Sequence, residues 1–386
     1  MQEINIADTS ITPRKHPYRV VLVLQGGGAL GAYQVGVYQA LEEAGYCPDW
    51  VAGTSIGAVN AALIAGNAPS ERLAKLEEFW AMIQWPDLMP AMPNGMLREW
   101  ANAMSVMRSA IFGQPNFFRP RFGNPLLSGS ALGWYDVQPL RSALEGLVDF
   151  DRINASAGGT RLAVGAVNVA TGEPVFFDSA REPLRIDHIL ASAALPPAFP
   201  PVEIDGSWYW DGGVVSNTPL DVVIDDRPRC SSLVFMVDLF ARRGAVPLSM
   251  ADVEMRRTDI NYAPRSRRDI EKHRQTHNLR RAVNALWQHV PDHMKSDPHL
   301  QSMAELRCAT TMQIVHIQHY PAEGEVSTKD CDFSAPTLAQ RRDAGYRDTC
   351  RLLERQAWMD EPPRDLGLLV YEPAMQRDMT PEPAGR

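Results

Sequence analysis

The chain is poor in cysteine: five in 386 residues, at Cys47, Cys230, Cys308, Cys331 and Cys350. An odd number with no C-x-x-C pair argues against a disulfide framework and against a cysteine-built zinc site. Long hydrophobic runs are lacking too. No stretch reaches the roughly eighteen apolar residues that a membrane-spanning helix needs. The first sixteen residues are polar, and Val20–Leu24 is too short for a signal-peptide core. Basic charge is not in excess: the formal net charge is −8, so no global positive field attracts nucleic acid. These absences predict a cytoplasmic globular protein that binds no nucleic acid and meets a membrane, if at all, from the side. The length allows two or three domains or one large α/β domain.

What is present begins with a pattern. Arg19–Gln25 reads as a buried parallel strand. Glycines follow, then a helix over Ala32–Ala44 that ends at Gly45. Asp49–Gly53 reads as a second strand and Ile56–Ala65 as an apolar, hence buried, helix. Strand, loop, helix, strand, turn, helix argues for a parallel sheet with helices on its faces. Ser70–Phe118 is rich in Trp, Met and Phe and is broken by prolines, which predicts irregular helices over the core. They serve either as ordinary packing or as an adaptable apolar cap over a lipid-sized pocket. Hairpins are expected over Arg161–Asp178 and Val202–Trp210, and a helix over Leu184–Leu195. Further strands fit Ser232–Phe240 and Thr311–Tyr320, and a last amphipathic helix fits Leu338–Trp358. Arg256–Arg281 carries nine Arg and Lys against three acidic residues and reads as a solvated helix face.

Three short motifs carry chemistry. Gly53-Thr54-Ser55-Ile56-Gly57 is G-x-S-x-G between a strand and a buried helix. A sharp turn there lifts a serine hydroxyl clear of the backbone, and glycines on both sides remove clashes. Ser55 is the candidate nucleophile. Gly26-Gly27-Gly28-Ala29-Leu30-Gly31 follows the first strand. Its bare amides at a helix start suit an anion, such as the oxyanion of acyl transfer. Asp211-Gly212-Gly213 follows the aromatic strand Ser207–Trp210. Alone it would be a turn; with the two upstream motifs Asp211 becomes the candidate base. Gly26, Gly28 and Gly31 also fit the dinucleotide fingerprint G-x-G-x-x-G. That fingerprint needs an acid at the end of the next strand. Here the strand ends at Gly53-Thr54-Ser55, and Asp49 stands at its start.

Taken together and in this order, the motifs resemble those of the patatin-like phospholipases. The likeness covers roughly residues 18–222 and implies a three-layer α/β/α fold. It also implies a Ser55–Asp211 dyad without histidine, no metal and no cofactor. Oxyanion donors would come from the loop Gly26, Gly27, Gly28 and Gly31, with Gly53, Gly57, Gly212 and Gly213 supporting the turns. The implied reaction is attack on carboxylic esters of lipids, with an acyl-ester or lipid partner. Leu30 departs from the family pattern, which often has Arg or Lys there, and this weakens the expected grip on a phosphate headgroup. Residues 223–386 look like the C-terminal extension of a bacterial subgroup, expected to pack on and complete the same domain.

The nine histidines suggest no triad. In α/β-hydrolases the order is Ser, acid, His, with the nucleophile deep in the sheet; here Ser55 follows the second strand. His188 sits among Ile186, Ile189 and Leu190 and reads as a core residue. His273 and His277 share i, i+4 spacing without an H-E-x-x-H glutamate, which favours a surface helix over a metal site. An idle lipid-binding protein with this fold is the alternative to an enzyme; the intact Ser55 and Asp211 disfavour it.

Overall fold

The computed structural model describes residues 16–85, 96–121, 132–155, 159–241, 244, 246–320, 329–363 and 366–372. Among these, the branched apolar run after Arg19 becomes β1 (Arg19–Leu24), buried from Val20 onward. A tight turn over Gly28–Gly31 leads into α1 (Ala32–Glu43). β2 (Trp50–Thr54) and α2 (Ile56–Ala65) repeat the pattern, with Ser55 alone between them. α2 is buried along its whole length. α3 (Arg72–Met82) and α4 (Met96–Phe112) follow as regular helices; residues 86–95 of the expected cap lie outside the described residues.

Next come a short ribbon, β3 (Arg119–Pro120) with β4 (Tyr135–Asp136), and α5 (Gln138–Leu147). β5 (Arg161–Asn168) and β6 (Pro174–Asp178) form the first expected hairpin. α6 (Ile186–Ser192) is shorter than the sequence suggested. Ala194 bonds back three residues to Ala191, and its carbonyl accepts the Asp211 amide, so the chain leaves the helix early. β7 (Val202–Ile204) and β8 (Ser207–Asp211) form the second hairpin. The remainder holds β9 (Ser232–Asp238), the long α7 (Met250–Gln288), β10 (Met312–Gln318), α8 (Ala335–Leu353) and β11 (Leu368–Tyr371).

These strands make one sheet in the order β11-β10-β9-β1-β2-β5-β8-β7, with β6 also on β5. From β11 to β5 every pairing is parallel; β6, β8 and β7 join antiparallel. Alternate strand residues face opposite sides. Leu22, Leu24, Val51, Leu162 and Phe235 pack with α1 and α2. Val21, Val23, Ala52, Val234 and Ile314 pack with Leu220–Ile224 and with Ile270 of α7. The architecture is therefore α/β/α in three layers, as expected. α8 lies directly on α1 through two glycines: a Cβ on Gly36 would come within 1.9 Å of the Arg342 carbonyl, and one on Gly345 within 2.1 Å of the Tyr33 carbonyl.

The basic stretch Arg256–Arg281 is helical, but not simply a solvated face. His277 is buried, and His273 Nε2 lies 2.7 Å from Asp221 Oδ1. The pair spaced i, i+4 therefore turns inward onto the sheet layer, correcting the surface-helix reading. Among the described residues no group of three or more His, Cys, Asp or Glu is placed to hold a metal ion, and no helix is long and apolar enough to cross a membrane.

Candidate active site

Register decides where the motifs meet. Leu24 pairs with Gly53 and with Val237, so the glycine loop, Ser55 and the residues after β9 emerge at one sheet edge. Thr54 pairs with Gly165 on β5, and the next β5 residue, Ala166, pairs with Asp211. β8 runs against β5, so its last residue arrives at the level where β2 ends. That is how two positions 156 residues apart become neighbours.

Ser55 adopts φ 56°, ψ −128°, outside the regions a side chain favours. Such strain is held by its surroundings. Its amide bonds the carbonyl and the hydroxyl oxygens of Ser192, each at 3.1 Å, and its carbonyl takes the amides of Ala58 and Val59. Ser192 in turn donates to the Gly165 carbonyl at 2.6 Å. Gly53 and Gly57 are required by the closeness of the turn: a Cβ on Gly53 would sit 2.2 Å from the Gly57 carbonyl, and one on Gly57 2.3 Å from the Leu24 carbonyl.

Asp211 is 1% exposed. Its carboxylate accepts the Gly213 amide at 2.7 Å and the Ser55 hydroxyl. Burial pushes its pKa up to about 7, against the opposing pull of those two hydrogen bonds. Gly212 lets β8 pass within reach of the Gly165 carbonyl, 2.7 Å from where a Cβ would be. A buried carboxyl that titrates near neutrality and touches a strained serine can take up a proton from it.

The glycine loop does not act as a uniform row of donors. The Gly26 amide already bonds the Asn217 carbonyl at 3.2 Å, so Gly26 leaves the expected donor set. Its smallness still matters, because a Cβ there would meet Ser55 Cβ at 2.9 Å. Gly31 packs against Ile56 and Trp80 at the start of α1, and its carbonyl takes the Asn60 amide; it too is a packing residue. The amides of Gly27 and Gly28 make no hydrogen bond to another described residue. Gly28 has φ +54°. Leu30 is fully buried in the core, so this position faces packing rather than the crevice.

Sequence reasoning passed over the residues that hold this loop. Asn217 Nδ2 donates to the Gly26 carbonyl at 2.9 Å, so one asparagine grips both sides of that glycine. Gln25 Nε2 donates to Thr218 Oγ1, and Gln25 Oε1 accepts the amides of Leu239 and Phe240. Gln34, Asn60 and Trp80 extend the chain of buried hydrogen bonds behind α2. Trp80 thus sits within the core, donating to Asn60 of α2 and packing against Gly31. Asn217 and Thr218 lie six and seven residues after Asp211; a polar pair just beyond D-G-G was the one visible signal. His188 packs on Phe177 with ring centres 4.6 Å apart and rings tilted by 54°, and His316 bonds Asp238 at 2.8 Å.

A parallel α/β sheet, a strained serine between strand and buried helix, and an aspartate returned to it by an antiparallel strand define a class of fold and site. The chain belongs to the patatin-like phospholipase family, whose model matches residues 22–224. A second family model, described as patatin phospholipase, matches residues 260–365. The chain is 28% identical over 236 residues to lysophospholipase NTE1 of Saccharomyces cerevisiae, covering 60% of this chain and 11% of that protein. It is 42% identical over 73 residues to human patatin-like phospholipase domain-containing protein 6, covering 19% and 5%. An uncharacterized NTE family protein of Mycobacterium bovis is 28% identical over 228 residues, covering 58% and 31%. The chain thus spans under a third of the length of these relatives.

Proposed function

We propose that this protein hydrolyses carboxylic esters of lipids, with Ser55 as nucleophile and Asp211 as general base. One observation carries the reading: a buried carboxyl with a pKa near 7 hydrogen-bonds a serine held at positive φ between a strand and a buried helix. Asp211 takes the Ser55 proton as Oγ attacks the ester carbonyl, and the leaving alcohol departs with that proton. Water, deprotonated by the same carboxylate, then releases the fatty acid and frees Ser55. The amides of Gly27 and Gly28 stabilise the oxyanion in both steps. Residues 18–222 and 223–386 act as one catalytic unit on this reading, because β9 and β10 extend the sheet from β1.

Lipid as substrate is supported by apolar exposure. Leu195 and Val214, close in sequence to Asp211 and its partner Ala194, are exposed. On α4 Met104, Met107 and Ile111 face outward while Ser105 and Ser109 are buried. An exposed apolar stripe of this kind suits a lipid surface met from the side. Relatives named lysophospholipase make single-chain phospholipids the first substrates to assay. A fluorophosphonate probe should label wild-type protein and not Ser55→Ala, and wild type should release fatty acid from lysophospholipid. Absence of labelling in folded wild-type protein would leave an idle lipid-binding protein as the better reading.

A further inference from the structure

A brace from the C-terminal half reaches the glycine loop. Lys329 and Asp259 form an ion pair at 2.7 Å, with side chains 1% and 7% exposed. Asp259 sits on α7. Lys329 Nζ also lies 5.7 Å from the ring centre of Phe240, which packs on Tyr262, one turn along α7. The Phe240 amide in turn bonds Gln25, the residue directly before the loop. The next residue after Lys329 touches the loop itself: a Cβ on Gly28 would come within 2.3 Å of the Asp330 carbonyl. Gly28 is where the backbone takes φ +54°.

A buried ion pair is a poor source of stability. Desolvation offsets most of its attraction, and an apolar pair of similar size usually serves as well. What the pair does supply is a fixed position. Its lysine sits one residue from the carbonyl that lies against Gly28, the loop glycine with φ +54°.

We propose that Lys329 and Asp259 are positioning residues for the oxyanion donors, setting the geometry of Gly27 and Gly28 from outside the motif-bearing region. The proposal rests on the hydrolase reading above. It gives the segment around residues 260–365 a part in catalysis rather than in packing alone.

The test uses the double variant Lys329→Met with Asp259→Leu, which removes both charges of the pair together. The second variant, Asp259→Asn with Lys329→Gln, is a neutral polar pair that also carries no charge and keeps a donor and an acceptor in place of the ion pair. Both are compared with wild type in thermal unfolding, in kcat and KM on a p-nitrophenyl acyl ester, and in inhibition by an alkyl trifluoromethyl ketone. That ketone forms a tetrahedral adduct with the serine and so reports on the oxyanion donors. The double variant should keep its unfolding midpoint and its KM within about threefold, while kcat falls roughly 10–100-fold and the ketone weakens in proportion. The neutral polar pair should show the same pattern with a smaller loss. A folded double variant with kcat and ketone affinity within about twofold of wild type, or with KM alone changed, overturns the proposal. Ser55→Ala, run alongside, separates the two failures. If it still turns over ester, the hydrolase reading falls; if it is inactive and the double variant is unaffected, only the brace falls.

Discussion

Residues 22–224 and the region beyond them build the same sheet in different ways. The first region carries every recognisable motif: the glycine loop, the G-x-S-x-G turn and D-G-G. The second carries none, yet β9 lies directly against β1 and α8 lies on α1. The difference teaches where chemistry and where placement reside. The proposed reacting groups sit on tight loops at strand ends, and such loops need particular residues at fixed spacing. The groups that hold those loops come from wherever the chain happens to return, and they follow no spacing rule.

Cutting the chain is the harshest way to break this comparison. A chain ending at residue 231 would lack β9, β10, β11, α7 and α8, leaving β1 with a bare edge and α1 with an uncovered face. It should fail to give a cooperative unfolding transition and should show no esterase activity. A truncated chain that folded and turned over ester would make the two regions separable.

Within the first region, Ser55→Ala should lower kcat/KM by about 10⁴ or more, with the unfolding midpoint little changed. Asp211→Asn should lose about 10²–10⁴. Wild-type kcat/KM should fall as pH drops through about 7, because a protonated Asp211 cannot accept the serine proton. Stability runs the other way. The Asp211 pKa is raised on folding from 3.8 to about 7. Its protonated form is thus favoured in the folded state, a contribution fully present below about pH 4 and lost as pH rises through about 7. The displacement is worth at most on the order of 4 kcal/mol. Asp211→Asn should therefore gain stability relative to wild type between pH 5 and pH 8, measured by denaturant unfolding. A difference that stayed flat over that range would mean that Asp211 is ionised throughout.

A smaller effect should come from Asn217→Ala, which strips the Gly26 carbonyl of its buried donor. The expected cost is about 1–3 kcal/mol of stability, with kcat lowered more than KM is raised. Smallest of all, His188→Asn should leave kcat within about tenfold of wild type, well short of what a general base contributes. A folded His188 variant that lost a hundredfold or more would return a histidine to the chemistry.

Much of the fold was legible because its rules are local. The run Val20–Leu24, the helix Ile56–Ala65 and the hairpin over Arg161–Asp178 follow from periodicity and turn residues. Ser55 and Asp211 could be singled out because a tight turn demands glycine on either side of Ser55 and after Asp211. What stayed hidden depends on contacts distant in sequence. Gly26 and Gly31 look like donors in the motif, but Asn217 occupies one amide and Ile56 with Trp80 packs against the other glycine. His277 looks like a surface residue on a basic helix, and its burial is set by which face α7 presents to the sheet.

The sequence by itself determined a parallel α/β start, a serine on a sharp turn and an aspartate followed by two glycines, since each is a matter of residue type at short spacing. Tertiary structure alone decided that Asp211 meets Ser55, through the register of Thr54 on Gly165 and of Ala166 on Asp211. It alone set the Asp211 pKa, because burial is a property of everything packed around a carboxyl. And it alone placed Lys329, some three hundred residues along the chain from Gly28, beside the loop that Gly28 bends, because close packing brings together residues that no short motif can relate.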